Sequence, residues 1–248
     1  MSTPSDSRPP RGRRANPLQA LLDIEKMRHE RIASSGLDPQ IARLRRWQSA
    51  RLARTYEDLL AHPRYTKACR FFLDDIYGPR DFSQRDYDLT RMYEFARTFV
   101  PEALIGPLAR TVELHFMTQN LDTQLLDALV HKLGVTDTIT VALYAEGYRV
   151  CDNYAERARQ IDMIGEIGEM LDRLVRVPLI GTAMAVARGP AKRAGWVELT
   201  EFLENGYAAF HHMNGATFFL STIRQRERRS LDKIFARDPD PFGFEITA

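Results

Sequence analysis

Nearly every segment after Asn16 repeats its apolar side chains every three or four residues, and no stretch alternates cleanly between apolar and polar. That spacing lines one face of an α-helix, whereas a half-buried strand needs a period of two. Leu, Ala, Arg and Glu dominate the same segments, and all four are good helix formers. The pattern predicts an all-α fold: one multi-helix, orthogonal or bundle-like domain of about nine to eleven helices over residues 18–237. Residues 1–17 are expected to be a disordered basic tail and residues 238–248 a flexible C-terminal tail.

Helix ends are written in Gly, Pro and capping residues. A first helix starts at Leu18 and stops near Ser35-Gly36. Asp38 caps a second that has Pro39 in its first turn and runs to about Ala61, where Pro63 breaks it. A third covers about Tyr65 to Tyr77 and ends at Gly78-Pro79, and Ser83 with Asp86 resembles a capping box for a fourth. Pro101 opens a fifth, Asn120 caps a sixth and Thr136 a seventh, which ends near Asn153. A long helix follows over about Ala155 to Arg176. Pro178 then opens one that stops at Gly189-Pro190, and Asn214-Gly215 separates the last two.

Net charge is +2, but residues 1–54 carry 12 Lys/Arg against 5 Asp/Glu, so a basic front precedes a mildly acidic body. Cys69 and Cys151 stand far apart and outside any C-x-x-C pattern, which points to a reducing, cytoplasmic setting. The longest apolar stretch, Val175 to Ala187, is interrupted by Arg176, Pro178 and Gly181 and is too short for a membrane span. No phosphate-binding loop, dinucleotide fingerprint, nucleophile elbow or H-E-x-x-H occurs. No catalytic residue and no cofactor can be named on these grounds.

Three groups of residues could carry a function. The run Phe71 to Asp86 crowds four carboxylates, two arginines and four aromatic rings around Gly78-Pro79. There Tyr77, Asp75, Asp81, Arg85 and Asp86 form a candidate binding turn, because grouped carboxylates hold cations or move protons. The alternative is a structural turn in which Arg and Asp tie helices together. His115, on the edge of an apolar helix face, with His211, His212 and Glu204, could supply metal or haem ligands. Adjacent His211 and His212 diverge by about 100° on a helix, so a shared site needs ligands from another helix. Arg43, Arg45 and Arg46, in the basic front, could meet nucleic acid, with a second basic run at Arg224 to Arg229. Solvated arginine faces explain the same residues.

The segments Phe71 to Phe82, with Gln84-Arg85-Asp86, and Phe210 to Ala216, continuing through Thr222 to Glu227, resemble an uncharacterised family of bacterial helical proteins. The resemblance spans most of residues 55–237 and implies a bacterial origin without an assigned activity. The reading that follows is a cytoplasmic helical protein that binds a protein partner, a second copy or a small ligand. An iron or haem protein and a nucleic-acid binder are the rivals.

Overall fold

A computed structural model describes residues 38–76, 86–88, 102–193 and 195–246, and the chain is all-α. The helices are α1 (Pro39–Thr55), α2 (Glu57–Ala61), α3 (Thr66–Arg70), α4 (Glu102–Asp127), α5 (Val141–Cys151), α6 (Tyr154–Leu174), α7 (Ile180–Arg193), α8 (Val197–Met213) and α9 (Thr217–Phe235). Wider π-helical turns extend α3 over Phe71–Ile76 and α4 over Ala128–Lys132. The expected first helix, the N-terminal tail and most of the expected fourth helix lie outside the described residues, and residues 86–88 are helical.

Several ends fall where local chemistry put them. The Asp38 carboxylate accepts from the Gln40 amide at 2.8 Å, capping α1 with proline in its first turn. Asn214 (φ 48°) and Gly215 (φ 115°) both take left-handed backbone to end α8. Arg64 then donates to the freed carbonyls of Met213, Asn214 and Gly215 at 2.7, 3.0 and 3.2 Å, a cation placed at a helix C-terminus.

Other ends differ from expectation. The helix expected to run from Asp38 to Ala61 breaks at Tyr56, whose buried ring and hydroxyl are drawn inward. Asn120 caps nothing. It lies exposed inside α4, which continues because Val112, Phe116, Leu121 and Leu125 stay in phase on its buried side. Thr140, not Thr136, caps α5, accepting from the Leu143 amide at 3.2 Å. The loop before it is instead pinned by buried Val135 and Ile139. Helix α7 runs through Gly189-Pro190 to Arg193, since an exposed proline near a helix end gives up one hydrogen bond without a packing clash.

Helix α9 packs most extensively on α6, and α6 packs in turn on α4. The apolar interior falls into two clusters. One gathers Tyr65, Phe71, Phe210, Met213, Phe219 and Leu220 around α3, α8 and α9. The other gathers Leu44, Trp47, Leu125, Leu129 and Tyr144 around α1, α4 and α5. Phe242, in the segment expected to be a flexible tail, lies edge-on to Trp47 with centroids 6.1 Å apart.

Close approach of α6 and α9 needs glycine at Gly168, where an added Cβ would sit 2.4 Å from buried Leu220. At Gly165 the same carbon would meet only the mobile head of Arg224. Gly168→Ala should therefore cost about 1–3 kcal/mol by overpacking. Gly165→Ala should stay within about 0.5–1 kcal/mol of wild type, because alanine's helix preference offsets the displaced guanidinium. Urea denaturation of the two variants side by side checks this.

Candidate functional site

Between the two apolar clusters runs a seam of buried and half-buried polar side chains. Five helices supply it, each placing a polar residue on its otherwise apolar stripe. Helix α1 gives Gln48 and Arg51, α4 gives Thr118 and Asp122, α5 gives Tyr144 and Tyr148, α6 gives Arg157 and Gln160, and α9 gives Glu227. These groups and the adjoining apolar side chains line a cavity of about 100 Å³.

Arg51 is the centre of one half. Its Nη1 donates to both oxygens of Glu227, at 2.6 and 2.7 Å, and the Tyr56 hydroxyl donates to Glu227 Oε1 at 2.7 Å. Burial works against the Arg51 charge, but the adjoining carboxylate prevails and holds its pKa above the ordinary arginine value. Arg157 is the centre of the other half. Its Nη2 donates to the Leu121 carbonyl at 2.8 Å, while its Nη1 reaches Gln160 Oε1 only at 3.4 Å. The nearest Asp122 oxygen stands 3.7 Å away and instead accepts from Gln48 at 3.1 Å. The Arg157 guanidinium also lies over the Tyr148 ring, 4.5 Å from its centre, a cation–π contact.

Two donors in this seam have no hydrogen-bond acceptor: the Nε–H groups of Arg51 and Arg157. Buried donors are nearly always paired, and each one left open costs about 1–3 kcal/mol. Aromatic rings brace the wall. Trp47 stacks on Tyr144 at 4.0 Å, and the hydroxyls of Tyr144 and Tyr148 share a hydrogen bond of 2.9 Å.

The Cys69 thiol and the Tyr144 phenol at the cavity are held neutral. Burial pushes the Cys69 thiol up to about 11 and raises the Tyr144 phenol well above its usual value. Native Cys69 should therefore resist thiol reagents at neutral pH, and alkylation of folded protein should climb only as pH approaches about 11. Because folding favours the neutral thiol, that stabilisation is full below the ordinary value of 9.0 and fades as pH rises through about 11. Rapid alkylation at Cys69 itself in the native protein at pH 7 would contradict the assignment, whereas reaction at the less buried Cys151 would not.

The residues singled out in the sequence lie elsewhere. Tyr77, Asp81 and Arg85 are outside the described residues. Asp75 faces the Asn205 amide at 3.4 Å. Asp86 is buried, with an oxygen 3.9 Å from His115 Nδ1. The other ring nitrogen of His115 meets the Gln119 side chain. His211 stacks on Tyr207, His212 Nε2 faces the Pro63 carbonyl at 3.2 Å, and Glu204 pairs with Arg188. Among the described residues no three His, Cys, Asp or Glu side chains gather to hold a metal ion.

The arginines are largely occupied. Arg43 donates to the Thr136 carbonyl, Arg45 also has a partner, and Arg46 is exposed. In the second basic run, Arg224 pairs with Glu169, Arg226 with Asp58 and Arg228 with Asp162. Paired side chains of this kind neutralise the face that nucleic acid would need.

Sequence reasoning singled out neither Arg51 nor Glu227 as a site residue. Helical phase held the signal. Arg51 falls in register with Leu44 and Trp47, and Glu227 with Ile223, Leu231 and Ile234, so both charges sit on buried stripes.

An all-helical domain with a mainly apolar cavity beside a seam of polar side chains is the class that this fold and site define. The chain belongs to the family described as Domain of unknown function (DUF8198), whose sequence profile matches residues 27–241. No curated protein and no solved structure matches it. Among the described residues no helix is long and apolar enough to cross a membrane.

Proposed function

We propose that this protein binds a small ligand in the cavity between α1, α4, α5, α6 and α9, and that it does so without catalysis. One observation carries the reading: a space of about 100 Å³ lined by apolar side chains and by two buried arginines, of which Arg157 has no carboxylate within hydrogen-bond distance. The charges there are fixed. Arginine stays protonated at any physiological pH, and the Cys69 and Tyr144 groups stay neutral. Such a set orients and holds a ligand but offers no thiolate or phenolate for nucleophilic or base chemistry. Free thiols at Cys69 and Cys151 support a reducing compartment, in keeping with a cytoplasmic protein.

A thermal-shift screen tests this with millimolar organic acids, amides, amines and alcohols on wild type and on Ile164→Phe, which places a bulkier ring in the cavity wall. Stabilisation by at least one class in wild type, absent in Ile164→Phe, is the expected result. No shift with any class, or equal shifts in both proteins, contradicts it.

A second reading, association with another copy of the chain, is favoured by α7. Its outward side presents Val186, and Leu179 stands just before it, each more than two-thirds exposed. Light scattering on wild type and Leu179→Asp decides: a dimer that the substitution dissociates supports this reading, and a monomeric wild type rejects it.

A further inference from the structure

Resting on the cavity reading, we infer that the ligand is a small aliphatic monocarboxylate, its carboxylate seated on Arg157 and its hydrocarbon end against Ile161, Ile164 and Ile223. The hydrogen-bond inventory sets the polar end. The Glu227 oxygens and the nearer Asp122 oxygen already accept from other groups, so neither carboxylate answers Arg157 directly. A ligand that completes this seam must bring acceptor oxygens.

Charge separates the two arginines. Arg51 has a carboxylate in contact on its Nη1, whereas Arg157 has none within hydrogen-bond distance, its nearest being Asp122 at 3.7 Å. Its remaining partners are a backbone carbonyl and a long contact to an amide oxygen. Arg157 is thus the buried cation with the least direct compensation, and a planar carboxylate matches the guanidinium fork. Its side chain is only 5% exposed, so an anion reaching it leaves water, and well-aligned hydrogen bonds to the guanidinium must offset that desolvation.

Size and lining set the other end. A space of about 100 Å³ suits a small molecule. Beyond the polar seam, the walls are isoleucine, leucine and phenylalanine side chains, which favour a short alkyl chain over a second polar group. Dicarboxylates and sugars do not match this lining.

Calorimetric titration with butyrate, butyramide and butylammonium tests the inference. Butyrate should bind wild type at one site per chain, and butyramide should bind at least about tenfold more weakly, since it lacks the charge. Arg157→Met should weaken butyrate by a further factor of about ten or more, and Ile164→Phe should abolish it. Should Arg157→Met fail to fold, Arg157→Lys replaces it, keeping the charge and losing the planar fork, and a severalfold loss is expected. Butyramide or butylammonium binding as tightly as butyrate, with that binding lost in Ile164→Phe, overturns the carboxylate assignment and leaves the cavity reading standing. Butyrate binding that survives either cavity substitution overturns the site. Failure of all three probes overturns the carboxylate inference, and failure of the wider screen as well overturns the cavity reading itself.

Discussion

Replacing Glu227 by leucine should lower stability by about 3–5 kcal/mol, the cost of stranding a buried charge. Arg51 would keep its position in the interior and lose both short bonds to its carboxylate, and the Tyr56 hydroxyl would lose its acceptor in the same stroke. The size of the effect follows from desolvation. Arg51 side-chain exposure is 9% and that of Glu227 is 15%, so water cannot replace the lost partner. Arg51→Met combined with Glu227→Leu should recover most of the loss, because two apolar groups of similar volume leave no charge behind. Urea unfolding of wild type, both single variants and the double variant gives the coupling energy directly. Additive losses would show that the pair is solvated and that no buried seam exists.

Phe219→Ala should cost about 3–5 kcal/mol, with a consequence that other core truncations lack. Phe219 is 1% exposed, packs against Tyr65 and Phe72, and also lines the cavity. Truncation would merge the space left by the ring with the existing one rather than leave an isolated void. The variant should therefore unfold at lower denaturant than wild type and accept a longer alkyl chain. A melting curve with and without hexanoate reads both effects. Unchanged stability would mean that the ring does not support the core, and undiminished selectivity for short chains would mean that it does not bound the cavity.

How far the sequence disclosed this molecule depends on the kind of signal. Helical period and the breaks at Asp38-Pro39, Pro63 and Asn214-Gly215 were readable because each rests on local backbone chemistry. Asn120 misled for the opposite reason. A capping residue on the exposed side of a helix looks the same in sequence as one at its start, and only the buried phase of Leu121 and Leu125 separates the two. Pro190 misled because the cost of proline depends on what surrounds it.

The seam lies deeper than local signals reach. Arg51 and Glu227 are 176 residues apart, and each is embedded in a run of charges that reads as a solvated face. Their phase on the apolar stripe marks them as buried, but only the fold shows which carboxylate meets which guanidinium. Arg157 shares a helical stripe with Ile161 and Ile164, and its unmet Nε–H depends on five helices at once. The acidic turn around Gly78 drew attention by local density, which says nothing about convergence in space.

The side-chain Nε–H resonances of Arg51 and Arg157 test the central claim most directly. In a proton–nitrogen correlation spectrum of labelled protein, both should give sharp, exchange-protected signals near neutral pH, since both groups are buried. Adding butyrate should move the Arg157 signal strongly and the Arg51 signal less, and Ile164→Phe should prevent both shifts. Nε–H signals that exchange as fast as those of surface arginines, or that stay in place for every ligand of the screen, would contradict a binding cavity at the centre of this fold.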